Sequence, residues 1–273
     1  MTRCMARFPR AAILVTLFFT GLFPLPAQPG EREPHVPPAL KERVTTLTST
    51  MKPSQWGENV TGVRTRLATH ERLIALTLDA CGSPRGKGVD LPLMRFLEQE
   101  QVPATLFVNA RWIDANPDLF KRLAANPLFE IANHGYLHRP ASVSGKSVYG
   151  IEGTRNVGEL IDEIELNARK IKELTGRRPK LYRSGTAYYD EVAVQVANAL
   201  DHEVAGFSLL GDAGASYSAR QVTDALMKAT AGDVIICHMN HPESGTGAGI
   251  MAAVPELKKR GFRFVKMSEH PLR

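Results

Sequence analysis

The sequence predicts a parallel α/β fold, and three observations carry that expectation. Seven short apolar runs recur from residue 73 onward: 73–78 (LIALTL), 104–108 (ATLFV), 128–132, 180–183, 203–208, 233–237 (DVIIC) and 263–266. Amphipathic stretches with readable starts and stops separate them, with no internal repeat and no second domain. Polar residues gather where the apolar runs end. Strands covered on both faces read as continuous apolar runs, and their alternation with helices is the pattern of a parallel sheet.

The elements follow in order. Residues 1–27 carry three arginines and no acid, then an apolar stretch over 11–23 and small residues near a cleavage point. This is the pattern of a signal peptide, and the apolar run is short for a membrane span. Cys4 lies too early to be a lipoprotein attachment cysteine. Removing this segment leaves 31 basic against 28 acidic residues, so the formal charge falls from +6 to +3. Residues 28–58 read as a linker and N-terminal extension, rich in Pro and charge at first, with a short helix over 39–51. The domain proper is 59–273, and 59–67 alternates as a strand or hairpin at its edge. Asp90 caps a helix at 91–100, and Asn116-Pro117 opens another at 117–126. A long helix at 157–175 places Val157, Leu160, Ile161, Ile164, Ala168, Ile171 and Leu174 on one stripe and stops at Gly176. Asp190 opens 191–200, Ser218 opens 219–229, and 247–260 ends at Gly261 with Pro255 inside it as a kink. The longest irregular stretch, 139–155, is of the length that compact domains keep for function.

Composition narrows the function classes. The 273 residues are 43% hydrophobic and 23% charged, which suits one large domain with a sizeable core. No Lys/Arg stripe with interleaved aromatics appears, so no nucleic-acid partner is expected. Export to the periplasm or outside the cell is expected, with no stable membrane partner once the signal is cleaved. The sequence does not set the oligomeric state.

The chemistry centres on EIANHGYLH, residues 130–138. His134 and His138 stand at i and i+4, a spacing that brings two side chains together on one helical turn, and imidazole nitrogen is a ligand for zinc and similar divalent ions. Gly135 occupies the place where a zincin carries its glutamate, so a general base must come from elsewhere. Asp79, Asn109, His134, Arg183, Asp212 and His238 each stand at or just beyond the end of an apolar run. In α/β barrels the carboxyl ends of the strands converge on one face, where the chemistry sits. The set suits hydrolysis of an amide or ester. A metal on His134 and His138 polarises a carbonyl and acidifies a water, Asp79 takes a proton, His238 protonates the leaving group, and Arg183 orients a carboxylate.

These residues resemble the motifs of the polysaccharide deacetylases, which share the NodB homology domain and form carbohydrate esterase family 4. The resemblance spans about residues 72–268. Thr77-Leu78-Asp79-Ala80 resembles the family's Thr-Phe-Asp-Asp. His134-Gly135-Tyr136-Leu137-His138 matches its His-(Ser/Thr)-x-x-His. Arg183-Ser184-Gly185, before Tyr188 and Tyr189, resembles the arginine motif, and Ile236-Cys237-His238 resembles Leu-x-His. The resemblance implies a distorted (β/α) barrel of about seven parallel strands. It also implies removal of N- or O-acetyl groups from a polysaccharide, most naturally a cell-wall or N-acetylglucosamine-containing glycan, with zinc or another divalent ion. By the same resemblance Asp79 is the catalytic base, His134 and His138 are metal ligands, and Asp212 is the nearest candidate for the acid that supports His238.

Ala80 departs from the pattern, because the family's second aspartate is a metal ligand. The sequence leaves three readings: Asp79 binds the metal itself, a water or another group completes the shell, or the site holds metal weakly or not at all. Cys81 is one candidate substitute. The matching functional alternatives are a catalytically inactive glycan-binding relative and a metal-free hydrolase. Cys81 and Cys237 are the cysteines that follow the signal, and strand alternation turns Cys237 away from His238, which favours two thiols over a disulfide. Tyr188 and Tyr189 are candidates for a sugar cleft, with core packing as the alternative, and His241 for an extension of the site.

Overall fold

The structure, a computed structural model, describes Met1 and residues 35–273; the expected signal at 1–27 and the first part of the linker lie outside the described residues. Helix α1 (Pro38–Thr48) precedes the repeating part of the fold. Then come β1 (Leu73–Ala80), α2 (Leu91–Gln99), β2 (Ala104–Val108), α3 (Ala110–Ala115), α4 (Pro117–Ala125), β3 (Phe129–Asn133) and α5 (Val157–Thr175). The second half runs β4 (Leu181–Tyr182), α6 (Glu191–Ala199), β5 (Glu203–Val204), β6 (Leu209–Leu210), α7 (Ala219–Leu226), β7 (Val234–His238), α8 (Thr246–Lys259) and β8 (Arg263–Phe264).

The strands form one sheet in the order β5-β4-β3-β2-β1-β7-β6, with β8 paired to the foot of β1. Every ladder is parallel. The sheet curls into an open barrel with helices outside, as the sequence predicts. Strand alternation sorts the side chains. Ile74, Leu76, Leu78 and Ala80 of β1 pack outward in a core with Leu93, Trp112, Val222 and Leu257. Leu73 and Ala75 point inward with Phe107, Ala132, Leu181 and Val234, filling the barrel below its mouth. A third cluster lies beneath α1, α5 and α6. Because both faces of β1 are buried along its whole length, its sequence is apolar up to Asp79 except at Thr77, whose hydroxyl donates to Ile235 O and accepts from Arg183.

The helix ends follow their capping residues. Asp90, Asn156, Asp190 and Ser218 each accept a backbone N–H of the first turn that follows, an arrangement worth about 1 kcal/mol apiece. Gly176 ends α5 at φ +72°, a left-handed conformation that glycine adopts without strain.

Three expectations need correction. Residues 59–67 are no regular strand. They touch the sheet through single bridges, Arg64 to Ala205, Arg66 to Asp233 and Leu67 to Leu272, so they run past the open side of the barrel and meet a different partner at each step. Of the run 203–208 only Glu203–Val204 is strand; the chain then leaves the ladder past Gly206, where a Cβ would lie 2.8 Å from Val63 Cγ1, and the next strand begins beyond the run at Leu209. Helix α3 went unpredicted; at six residues it is too short to show a period, and Asn109 caps it by accepting from Arg111 N. Among the described residues no helix is long and apolar enough to cross a membrane.

His202, between α6 and β5, is 2% exposed, and its Nδ1 has no partner. Burial, with the charge of Arg178 beside it, pushes its pKa down to about 3. The unfolded chain therefore binds a proton that the folded chain refuses between pH 6.5 and about 3. Stability present above pH 6.5 is lost as pH falls, at about 1.4 kcal/mol per pH unit. The expected result is a fall of about 2 kcal/mol between pH 7 and 5 from this group. Urea midpoints of the parent and of His202→Leu check it: the variant's midpoint falls less over the same interval.

Candidate active site

The parallel ladders bring the polar strand ends to one rim. Asp79 on β1 and His238 on β7 are register partners. Asn109 follows β2, His134 follows β3 and Arg183 follows β4. Arg183 is fully buried. Its Nη1 donates to Asp79 Oδ1 at 2.7 Å and to Thr77 Oγ1 at 2.9 Å, while Nε and Nη2 donate to the carbonyls of Ala205 and Gly206. The guanidinium lies 4.0 Å over the Phe107 ring. All of these donors are engaged, and they fix one carboxylate oxygen. Asp79 Oδ2 is left 3.7 Å from His134 Nε2.

The histidines converge for a reason other than the helical turn that their spacing suggests. Residues 134–138 form a loop in which Gly135 has φ +75° and His138 φ +63°. His134 Nδ1 faces the carbonyl of Arg183 at 3.0 Å, a contact that keeps the proton on Nδ1 and leaves Nε2 free to ligate. Glu163 on α5 holds the rest of the loop by accepting from Leu137 N at 2.8 Å and Arg139 N at 3.1 Å. A Cβ at position 135 would crowd Glu163 Oε1, and the positive φ there also favours glycine. Burial raises the Glu163 carboxyl, against those backbone bonds. Asn133 accepts from Gly135 N and from Asn167 Nδ2, and Asn167 also donates to Val108 O. The sequence signal for this support was Glu163 and Asn167 standing among the buried apolar residues of α5.

One residue past β1, Cys81 turns to the same place. Its Sγ is 3.8 Å from His134 Nε2. Cys81, His134 and His138 are the one set of potential metal donors, among the described residues, whose ligand atoms all lie within 4.8 Å of one another. Burial opposes ionisation of the thiol, but the charge of His138 and bonds with His134, His138 and His238 outweigh it and hold Cys81 well below the usual thiol range. Burial likewise opposes charge on His134, and Asp79 and Cys81 outweigh it, so its pKa is raised. His138 Nε2 is buried without any partner. A divalent ion fits these residues, since it would occupy that orphaned nitrogen and compensate for crowding several ionisable groups. Both thiols are free, and Cys237 packs into the outer core with Ala80.

Across the mouth, Asp212 accepts from His238 N at 2.7 Å and meets His238 Nδ1 at 3.0 Å, and Thr246 Oγ1 donates to it at 2.9 Å. Burial opposes the carboxylate, but His238 and Thr246 hold Asp212 below its ordinary value. His238 is raised well above the free imidazole value, because the Asp212 bond outweighs burial. The expected partnership of these two residues is thus present.

A pocket of about 570 Å³ opens over this set, lined by Asp79, Cys81, His138, His238, Tyr149 and Thr186 among others. Thr186 Oγ1 is buried there without a partner, a residue that no sequence signal singled out. The 139–155 loop reaches the rim through Tyr149, which packs edge-on against Tyr188, and Tyr188 meets Trp56 at a tilt of 55°. Tyr189 is different: it is fully buried and its hydroxyl accepts from Ser184 N, so it is core. His241 pairs with Glu243 at 2.8 Å and is not part of the pocket lining.

Comparison with known proteins gives the family and the fold. A family model described as polysaccharide deacetylase matches residues 66–205. The match covers Asp79, both histidines and Arg183, and ends before Asp212 and His238. A peptidoglycan-N-acetylglucosamine deacetylase of Bacillus cereus is 28% identical over 204 residues, 73% of this chain and 88% of that protein. A bifunctional xylanase/deacetylase of Pseudobutyrivibrio xylanivorans is 26% identical over 83% of this chain, which spans 34% of that protein. In fold, the chain is similar to a CE4 family pseudoenzyme from Bacillus anthracis, with TM-score 0.65 and 17% identity over 85% of this chain and 80% of the other.

Proposed function

The chain belongs to the polysaccharide deacetylase family, and from that premise we propose that it is an exported, metal-dependent hydrolase that removes acetyl groups from a cell-wall glycan. The observation that carries this reading is the pair of oriented groups that stand side by side at the rim of the pocket. Asp79, held by Arg183, and His238, held by Asp212, are neighbours in register. His134 and His138 would hold the divalent ion, zinc by preference for nitrogen donors. A divalent ion bound there polarises the acetyl carbonyl and makes a water a stronger acid.

The chain's own groups do the rest. Arg183 keeps one Asp79 oxygen occupied and aims the other into the pocket. Asp79 takes a proton from the water that attacks the carbonyl carbon. His238, charged because Asp212 holds it so, gives a proton to the sugar nitrogen or oxygen as its bond to the acetyl carbon breaks, and acetate and the free amine or hydroxyl result. Tyr188, Tyr149 and Trp56 offer aromatic faces to the sugar rings. The export signal at 1–27 and a catalytic domain over 59–273 belong to this reading, as does a glycan of the peptidoglycan type, after the substrate named for the Bacillus cereus relative.

Ala80 favours a second reading, a glycan-binding protein without hydrolytic activity. Acetate release from N-acetylglucosamine oligomers and from peptidoglycan, with and without chelator, separates the two. The expected result is release that a chelator abolishes and zinc restores. Glycan binding without release would establish the second reading, and release indifferent to chelator would remove the metal from the mechanism.

A further inference from the structure

We propose that Cys81 is the third protein ligand of the metal, a thiolate in place of the carboxylate that Ala80 lacks, so that the centre is a Cys-His-His site selective for zinc-like over magnesium-like ions. This rests on the metal-dependent reading above and adds to it which atom closes the coordination shell.

The geometry at the end of β1 explains why the ligand moves by one residue. Ala80 points into the core between sheet and helices, where it packs with Trp112, so no group of its own reaches the histidines. Beyond it the chain leaves the ladder. Asn109 N donates to Ala80 O at 3.1 Å, and Gly82 N turns back to Gly86 O. Gly82 has φ +68°, and a Cβ there would lie 2.5 Å from Trp112 N. This tight turn against α3 directs the Cys81 side chain over the barrel mouth, toward His134.

The distances suit a tetrahedral centre. Zinc–sulfur and zinc–nitrogen bonds of about 2.3 and 2.0 Å give a sulfur–nitrogen edge of roughly 3.5 Å, and Cys81 Sγ lies 3.8 Å from His134 Nε2. The other donor, His138 Nε2, is buried and otherwise unpartnered, and all three ligand atoms fall within 4.8 Å of one another. Asp79 Oδ2 also lies 3.7 Å from His134 Nε2, but Asp79 is not one of the three residues whose donors all lie within 4.8 Å of one another, and its other oxygen is committed to Arg183, which leaves it the role of base. A soft sulfur donor favours zinc, cobalt or cadmium and disfavours magnesium, calcium or manganese.

The test is the absorption spectrum of the mature protein loaded with cobalt(II), beside Cys81→Ser, Cys81→Ala and His134→Ala/His138→Ala, with metal content measured for each. The expected result is a sulfur-to-cobalt charge-transfer band in the parent that both Cys81 variants lose, with Cys237→Ala keeping it as the control. Stoichiometric cobalt without that band in the parent would overturn Cys81 as a ligand while leaving the histidine site intact. Failure of the parent to retain cobalt or zinc would overturn both this inference and the metal-dependent reading. Because the band is read first in the parent, the outcome does not depend on any variant folding.

Discussion

Replacing Asp79 by Asn lowers kcat for acetate release about 10³-fold, the middle of the range for a positioned general base, and leaves KM within a few-fold. Asparagine keeps an oxygen where Arg183 Nη1 now donates at 2.7 Å, so the guanidinium retains an acceptor. What is lost is the ability of the second oxygen to take a proton. Steady-state kinetics on a soluble N-acetylglucosamine oligomer, beside a circular-dichroism melt, separate the chemical loss from a folding loss. Activity within tenfold of the parent would mean that the proton goes elsewhere and would remove Asp79 from its proposed role.

Arg183→Met is the second large effect, and it acts on the fold as well as the site. The side chain is fully buried, and its loss strands the Asp79 carboxylate and the carbonyls of Ala205 and Gly206 at once, while Thr77 keeps its bond to Ile235 O. Breaking a buried ion pair from one side costs about 3–5 kcal/mol, a large fraction of the stability of an ordinary domain. The expected outcome is a lower urea midpoint together with loss of activity. The double change Arg183→Met/Asp79→Asn recovers part of the midpoint, because the orphaned charge has gone, and recovers no activity. A double variant no more stable than the single one would show that the pair's charge is not what holds this region.

The core strands were legible because the barrel covers them on both faces. β1, β2 and β7 appear in sequence as apolar runs that stop at a polar residue, and the stopping points, Asp79, Asn109 and His238, are where the chain reaches the rim. Asp212 and Arg183 could be placed for the same reason. What was hard to read was support that arrives from elsewhere in the chain. Glu163 shares its helix with another buried acid, Glu165, which pairs with Arg169 and Arg178, so nothing local tells the acid that holds the 134–138 loop from one that only answers nearby arginines. The alternation read into 59–67 has no counterpart in burial, since only Val60 and Leu67 of the stretch are buried and it meets single partners rather than one ladder. The histidine spacing implies a helical turn that the chain does not use; the two side chains come together through a loop in which Gly135 and His138 are left-handed. Cys81 was visible only as a candidate, because its direction depends on the turn at Gly82.

That Asp79 and His238 face each other across one ladder has a consequence for how such a catalyst can diversify. Adjacent strands lie about 4.8 Å apart whatever their sequence, so the backbone repeat sets the gap between the two proton-handling strand ends, and the rim does not. Loops such as 139–155 can lengthen, shorten or exchange their aromatics to suit another polymer while that gap stays constant. On the reading proposed above, the rim chooses the polymer, and a spacing common to parallel sheets holds the two groups that break the bond.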